Sequence, residues 1–171
     1  WGGLVDAASR PGVWKALPDL KGPSDYRRRA LANVRPAEIA DLDETMLLPR
    51  GKGDAFYQAE FRRLYGGEKL VTDAAGEPVI LSLRSFLVDK TPGAVEQWKF
   101  SKGGHGESIP LLERMIREPY EIWLVPQINE AGRIRLAKRY VGLWKTADRQ
   151  RIAGLSVYES ADGVFQGVTH F

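Results

Sequence analysis

Few side chains in this sequence are able to do chemistry. The 171 residues include no Cys and two His, which excludes thiolate nucleophiles, disulfide staples, Cys-based zinc sites and an all-His metal cage. The carboxylates are dispersed without metal-ligand spacing, so neither a metal nor any other cofactor is expected. His105 stands in Gly103-Gly104-His105-Gly106-Glu107, where glycines let the backbone approach a ligand and leave amides available to an anion. It is the leading candidate for a proton-transferring group. Lys99 and Lys102 precede this loop and are placed to neutralise a phosphate. His170 follows Thr169 near the end of the sequence, and on an extended strand the two point to opposite faces. Gly51-Lys52-Gly53 lacks the spacing and the Ser/Thr of a phosphate-binding P-loop.

Charge is unevenly spread. The net charge is +3, with 14 Lys/Arg and 14 Asp/Glu in residues 1–98 against 11 and 8 in residues 99–171. The window 133–151 holds Arg133, Arg135, Lys138, Arg139, Lys145, Arg149 and Arg151, with Asp148 as its one acidic residue. Such a patch attracts phosphate backbones. Tyr140, next to Arg139, offers a ring for base stacking, while Trp98, Trp123, Trp144 and Tyr158 read as core. This set fits a reaction that needs no metal, transesterification of an RNA phosphodiester by its own 2′-hydroxyl. The substrate supplies the nucleophile, and the protein supplies a proton acceptor or donor and cations around the phosphorane. DNA has no internal nucleophile, so RNA is the favoured substrate.

The elements that must position these groups fall into two regions. Residues 1–67 read as a helical lead-in: Ser24 caps DYRRRALANV, Pro36 starts AEIADLDETMLL, and a third helix is predicted from Asp54 to Tyr65, ended by Gly66-Gly67. Phe56, Ala59, Phe61 and Leu64 are its expected apolar contacts. Residues 68–171 change period. Lys69–Thr72 and Pro78–Leu81 flank a turn and read as a hairpin, Ser82 to Val88 as a helical turn, and Trp98-Lys99-Phe100 as a short strand. Ser108 is expected to cap a helix with Ile109, Leu112, Met115 and Ile116 on one face, stopped at Glu118-Pro119. EIWLVPQI, RIRLAKRYVGLW, RIAGLSVYE and VFQGVTHF then form a four-stranded antiparallel meander, with Asp162-Gly163 as its last turn. Alternation puts Arg133, Arg135 and Arg139 on one strand face, expected to be open and cationic. The fold class expected is α+β: N-terminal helices, then a helix packed on a four-stranded antiparallel sheet. No apolar run reaches the ~18 residues of a membrane-spanning helix. The start WGGLVDAASR carries no signal-peptide pattern, and the chain is expected to be a piece of a longer polypeptide.

The order of LVTDAAGEPVILSLRSF, QWKFSKGG, LLERMIREPYEIW, GRIRLAKRYVGLW and GVFQGVTHF resembles the phage-associated branch of the barnase, EndoU, colicin and RelE-like nuclease superfamily over roughly residues 68–171. Domains of this kind occur as C-terminal extensions of Mu F-type minor head proteins and as tips of polymorphic toxins. The resemblance implies metal-independent RNA cleavage from the open face of a barnase-like sheet. By motif position it points to Lys99, Arg139, Tyr140 and Thr169. His105 stands where an arginine is expected, and Tyr120 replaces an acidic residue of a Pro-Asp-Glu element.

Both readings together make the domain an endoribonuclease toxin. His105 is the expected general acid or base, Lys99 and Arg139 the stabilisers of the phosphate and transition state, and Thr169 a donor to a phosphate oxygen. Tyr140, Arg135, Arg133, Lys102 and His170 would bind substrate. RNA, including tRNA, is the expected partner, together with a cognate immunity protein presenting acidic surface. The setting implied is a phage virion or secreted toxin acting in the cytoplasm of a target cell. Two other readings are a non-catalytic nucleic-acid or scaffold-binding module of a phage head protein, and a transferase toxin of the ADP-ribosyltransferase type.

Overall fold

The computed structural model describes residues 39–100, 105–128, 132, 134–148, 151–161 and 164–170, without the side chains of 125–128, 135, 151, 155, 161 and 168–170. The helix expected after Ser24, and the residues Lys102 and Arg133, lie outside the described residues.

Helix α1 spans Asp54–Tyr65 and closes on Gly66 at φ 69°, with the Gly66 N–H bonded to the Arg62 carbonyl. This left-handed cap is where glycine is required. The buried stripe is Tyr57, Phe61 and Tyr65, at four-residue spacing. Phe56 and Leu64 are half-buried and Ala59 is exposed. The helix expected after Pro36 does not extend through 39–48. That segment instead forms strand β1 (Ala40–Asp41) and a 3-10 turn at Glu44–Met46. Asp43 accounts for the change, because its carboxylate accepts from the Thr45 N–H at 2.9 Å and the Thr45 hydroxyl at 2.6 Å, a cap that competes with helix continuation.

Strands β2 (Glu68–Thr72) and β3 (Pro78–Ser82) form the expected hairpin. Ser82 caps a 3-10 turn at Leu83–Phe86. A strap of residues 88–97 follows, closed by a bridge between Leu87 and Trp98. A 3-10 turn at Ile109–Leu111 leads into helix α2 (Leu112–Arg117), with Leu112, Met115 and Ile116 buried. Ser108 does not cap this turn through its side chain; its hydroxyl donates to the His105 carbonyl.

Strands β4 (Glu121–Ile128), β5 (Ile134–Lys145), β6 (Arg151–Ala161) and β7 (Val164–His170) are the antiparallel meander. The sheet, however, is larger than four strands and mixed. Its order is β1-β5-β6-β7-β3-β2, with β4 also on β5, giving seven strands among the described residues. β3 lies parallel to β7, and β1 lies parallel to β5 at Trp144 and Lys145. A two-stranded hairpin with one apolar face is marginal alone, and docking on β7 lets Val79 and Leu81 be fully buried.

The first face of the sheet carries Ile122, Tyr140, Trp144 and Tyr158 into the main core, where they meet α1, α2 and the 3-10 turns. Residues 54–65, assigned on sequence to the lead-in, therefore share one core with the sheet. Rings run in series from Trp98 to Phe100, Phe86, Phe61 and Tyr65, with successive centroids 5.6, 4.7, 5.9 and 5.0 Å apart. Each such pair adds about 0.5–1.5 kcal/mol beyond area burial. No helix among the described residues is long and apolar enough to cross a membrane.

A charged network sits inside this core. Lys138 Nζ donates to Asp73 Oδ2 at 2.7 Å and is paired also with Glu77, and the Tyr140 hydroxyl donates to the same Asp73 oxygen at 2.6 Å. Asp73 Oδ1 accepts from the N–H groups of Ala75 and Glu77 at 2.9 and 2.8 Å. The ammonium also lies 4.5 Å from the centroid of the Phe165 ring. Lys138 and Asp73 have side chains with no exposure at all.

Asp73→Ala leaves the ammonium and the phenol of this network without their shared carboxylate, and is expected to cost about 3–5 kcal/mol in denaturant unfolding. Lys138→Met, which removes the buried cation itself, is expected to cost less. Gly142→Ala places a Cβ 2.6 Å from Cζ3 of the buried Trp144, and an overpacking loss of about 1–3 kcal/mol is expected in the same measurement.

Candidate active site

The second face of the sheet is set by alternation on β4, β5 and β6. Trp123 pairs with Arg139, and Arg139 with Val157. Val157 is in register with Thr169 across a β-bulge in the β6–β7 pair. Arg139 and Thr169 thus belong to one row across four strands, with backbones about 10 Å apart at the usual strand spacing. Glu159 lies two positions beyond Val157, opposite Ala137 and Gln166. It is therefore a diagonal same-face neighbour of Arg139, about 7–8 Å away. Glu121, opposite Val141, is the corresponding diagonal neighbour on β4, and its Oε2 accepts from Trp123 Nε1 at 2.7 Å.

This face is not the open cationic surface expected from the sequence. Arg139 is 6% exposed, and Trp123, Val141, Leu143 and Val157 are buried around it. Ile39 and Tyr120 pack over the Leu143 end. The reason is in the alternation itself: Ala137, Val141 and Leu143 share parity with Arg139, so an apolar row needing cover surrounds its guanidinium. Of the other two arginines on this parity, Arg133 is not described, and Arg135 is described only in its backbone, opposite Gln127.

Tyr140 is on the first face, 0% exposed. Burial first, then the neighbouring Asp73 carboxylate, push its phenol well above the usual tyrosine range. Held by Asp73 in the core, it has no surface on which a base could stack. His105 is 7% exposed, in a turn packed on the main core. A Cβ on the adjacent Gly106 would stand 2.7 Å from the Tyr57 ring, so only glycine passes there. The Gly106 N–H bonds the Phe100 carbonyl at 3.0 Å, folding the loop back onto the Lys99-Phe100 segment. The backbone just after His105 thus meets the backbone just after Lys99. His170 is opposite Ser156 in the β6–β7 register.

Lys99 is half-buried, and its N–H bonds the Phe86 carbonyl at 2.9 Å. It belongs to a group of charges that sequence reading missed. Lys90, also half-buried, is on the strap, and Arg84, in the 3-10 turn after β3, donates from Nη2 to the Lys90 carbonyl at 3.4 Å. Burial pushes the Lys90 ammonium down to about 8; the positive charge of Lys99 adds to this, Glu159 opposes it, and Arg84 adds again. Three cations thus come together on the 3-10 turn after β3, the strap and the Lys99 segment, with Glu159 of β6 near enough to act on Lys90. No local motif marks Lys90 or Glu159; the bridge at Leu87 and Trp98 and the register of β6 bring them together. Such a cluster can hold an anion and, through the carboxylate, accept a proton.

A protein-family model described as phage-Barnase-EndoU-ColicinE5/D-RelE like nuclease2 matches residues 54–171. Neither a curated protein nor a solved structure matches the chain. The matched segment runs from the first residue of α1 through β7 and contains Arg84, Lys90, Lys99, His105, Arg139, Glu159 and Thr169. With most of its core, six of the seven described strands and these charged residues inside that span, the chain belongs to the phage-associated barnase, EndoU, colicin E5/D and RelE-like nuclease family.

Proposed function

We propose that this nuclease-family domain is an endoribonuclease of toxin type that cleaves RNA by attack of the 2′-hydroxyl on the adjacent phosphodiester. The observation that supports it best is the grouping of Arg84, Lys90 and Lys99 around the strap, with Glu159 acting on Lys90. In this scheme Glu159 takes the proton of the attacking 2′-hydroxyl, Lys99 offsets the charge that builds on the phosphorane, Arg139 adds its field from beneath the sheet surface without touching the substrate, and Thr169 donates to a phosphate oxygen. His105, on the loop that folds back onto the Lys99-Phe100 segment, returns a proton to the departing 5′-oxygen. The bond formed is 2′-O–P and the bond broken is P–O5′, leaving a 2′,3′-cyclic phosphate and a free 5′-hydroxyl. Tyr140 has no part in contacting RNA and instead fixes β5 from within.

A substrate that carries its own nucleophile asks the protein for proton transfer and electrostatics, and these are what a carboxylate, an imidazole and clustered cations provide. The parent is proposed to be a phage head or toxin-delivery protein acting in the cytoplasm of a target cell. The producing cell would then hold an immunity protein with acidic surface for the Arg84, Lys90 and Lys99 region.

RNA incubated with the protein in the presence of chelator is expected to give fragments ending in a 2′,3′-cyclic phosphate, read by end-mapping. Glu159→Gln and His105→Ala are each expected to lower the single-turnover rate by about 10²-fold or more. Intact RNA, or products bearing 5′-phosphates, would exclude transesterification. A 2′-deoxy substitution at the cleaved nucleotide is expected to abolish cleavage while leaving binding in place.

A further inference from the structure

We propose that Lys90, braced by Arg84 on the strap between Leu87 and Trp98, is a phosphate ligand of the substrate, distinct from the groups that handle the reacting bond. The inference deepens the ribonuclease reading and rests on it for the nature of the ligand, a phosphodiester. The evidence is geometric first. The 3-10 turn at Leu83–Phe86 and the bridge from Leu87 to Trp98 return the chain on itself, so that the Arg84 guanidinium reaches the Lys90 backbone and Lys99 is fixed beside the turn that carries Arg84, although the sequence separates them. Arg84 Nη2 reaches the Lys90 carbonyl, and the Lys99 N–H is fixed on Phe86. Asp89, the acidic neighbour in sequence, is turned to the Thr91 N–H at 2.8 Å.

Holding like charges together under partial burial disfavours each charged form. The charged groups acting on Lys90 are Lys99, before Phe100, Glu159 on β6, and Arg84 in the 3-10 turn. Lys99 and Arg84 act on Lys90 in the same sense, each disfavouring its charged form, and an arriving phosphate acts in the opposite sense. The lowered value of about 8 for Lys90 agrees with this. The sign is explicit. Between about 8 and the ordinary 10.5 the unfolded chain binds the proton that the folded chain has lost, so this group makes stability rise with pH in that window. Phosphate binds the protonated form, so affinity falls over the same window, and binding near its lower end takes up a proton.

Thermal melts of the intact protein with inorganic pyrophosphate as probe test the assignment. The wild type is expected to melt higher with pyrophosphate at pH 7, with a smaller rise at pH 9.5. Lys90→Met is expected to lose the pyrophosphate effect while folding at least as stably without ligand. Lys90→Arg is expected to keep the effect and lose its alkaline decline, because a guanidinium does not titrate there. With RNA as substrate, Lys90→Met is expected to raise KM by about tenfold with kcat nearly kept. Cleavage of RNA by the wild type together with unchanged KM and unchanged pyrophosphate response in Lys90→Met overturns the phosphate ligand and leaves the ribonuclease reading standing. A Lys90-dependent pyrophosphate response in a protein that cleaves no RNA supports the anion site and overturns the ribonuclease.

Discussion

The carboxylate of Asp73 ties a turn of this fold to a strand far from it in sequence. It receives two backbone N–H groups from its own turn and two side-chain donors, Lys138 and Tyr140, from the strand at the centre of the meander. The first pair shapes the β2–β3 turn, and the second pair ties that turn to β5. Burying an ammonium and a carboxylate together is weak evidence for added stability, since well-packed apolar residues often do as well. Its effect here is positional. With the turn pinned, β3 is held in line beside β7, and the 3-10 turn that follows β3 is delivered to the place where Arg84 meets Lys90.

Local signals made part of this legible from the residues alone. Helix α1 announces itself through apolar spacing and the Gly66-Gly67 stop, and the four meander strands through alternation and short turns. What alternation could not say is which face of β5 would be open, because that depends on cover arriving from elsewhere in the chain. Arg139 is hidden since Ala137, Val141 and Leu143 share its side of the strand. Tyr140 looked like a stacking group because its partner, Asp73, is 67 residues away. The segment after Pro36 read as a helix because proline suits a first helical position, while over residues 39–48 the local cap formed by Asp43 goes with a 3-10 turn instead.

The candidate site shows the same division. Lys99 and Arg139 were reached from the placement of charge as well as from motif order, and Thr169 through motif order, and register places Arg139 and Thr169 in one row of the sheet. Glu159 and Lys90 carried no signal because neither lies in a recognisable pattern. They acquire meaning from a strand register and a closed loop, both of which are products of the whole fold. The nuclease family match describes the domain as a unit, and the individual roles within it come from charge, burial and adjacency.

The position of β7 in the sheet has a bearing on how the molecule is made. This strand is synthesised after all the others described, yet it lies between β6 and β3, and without it the sheet is split into two parts. β3 leaves the ribosome long before its parallel neighbour exists, and the hairpin must wait with one edge unsatisfied while the intervening chain is translated. Long-range parallel pairing of this kind is slow, so assembly of the domain is a late event governed by its final strand. A domain built in this order has little opportunity to act on nucleic acid while it is still a nascent chain.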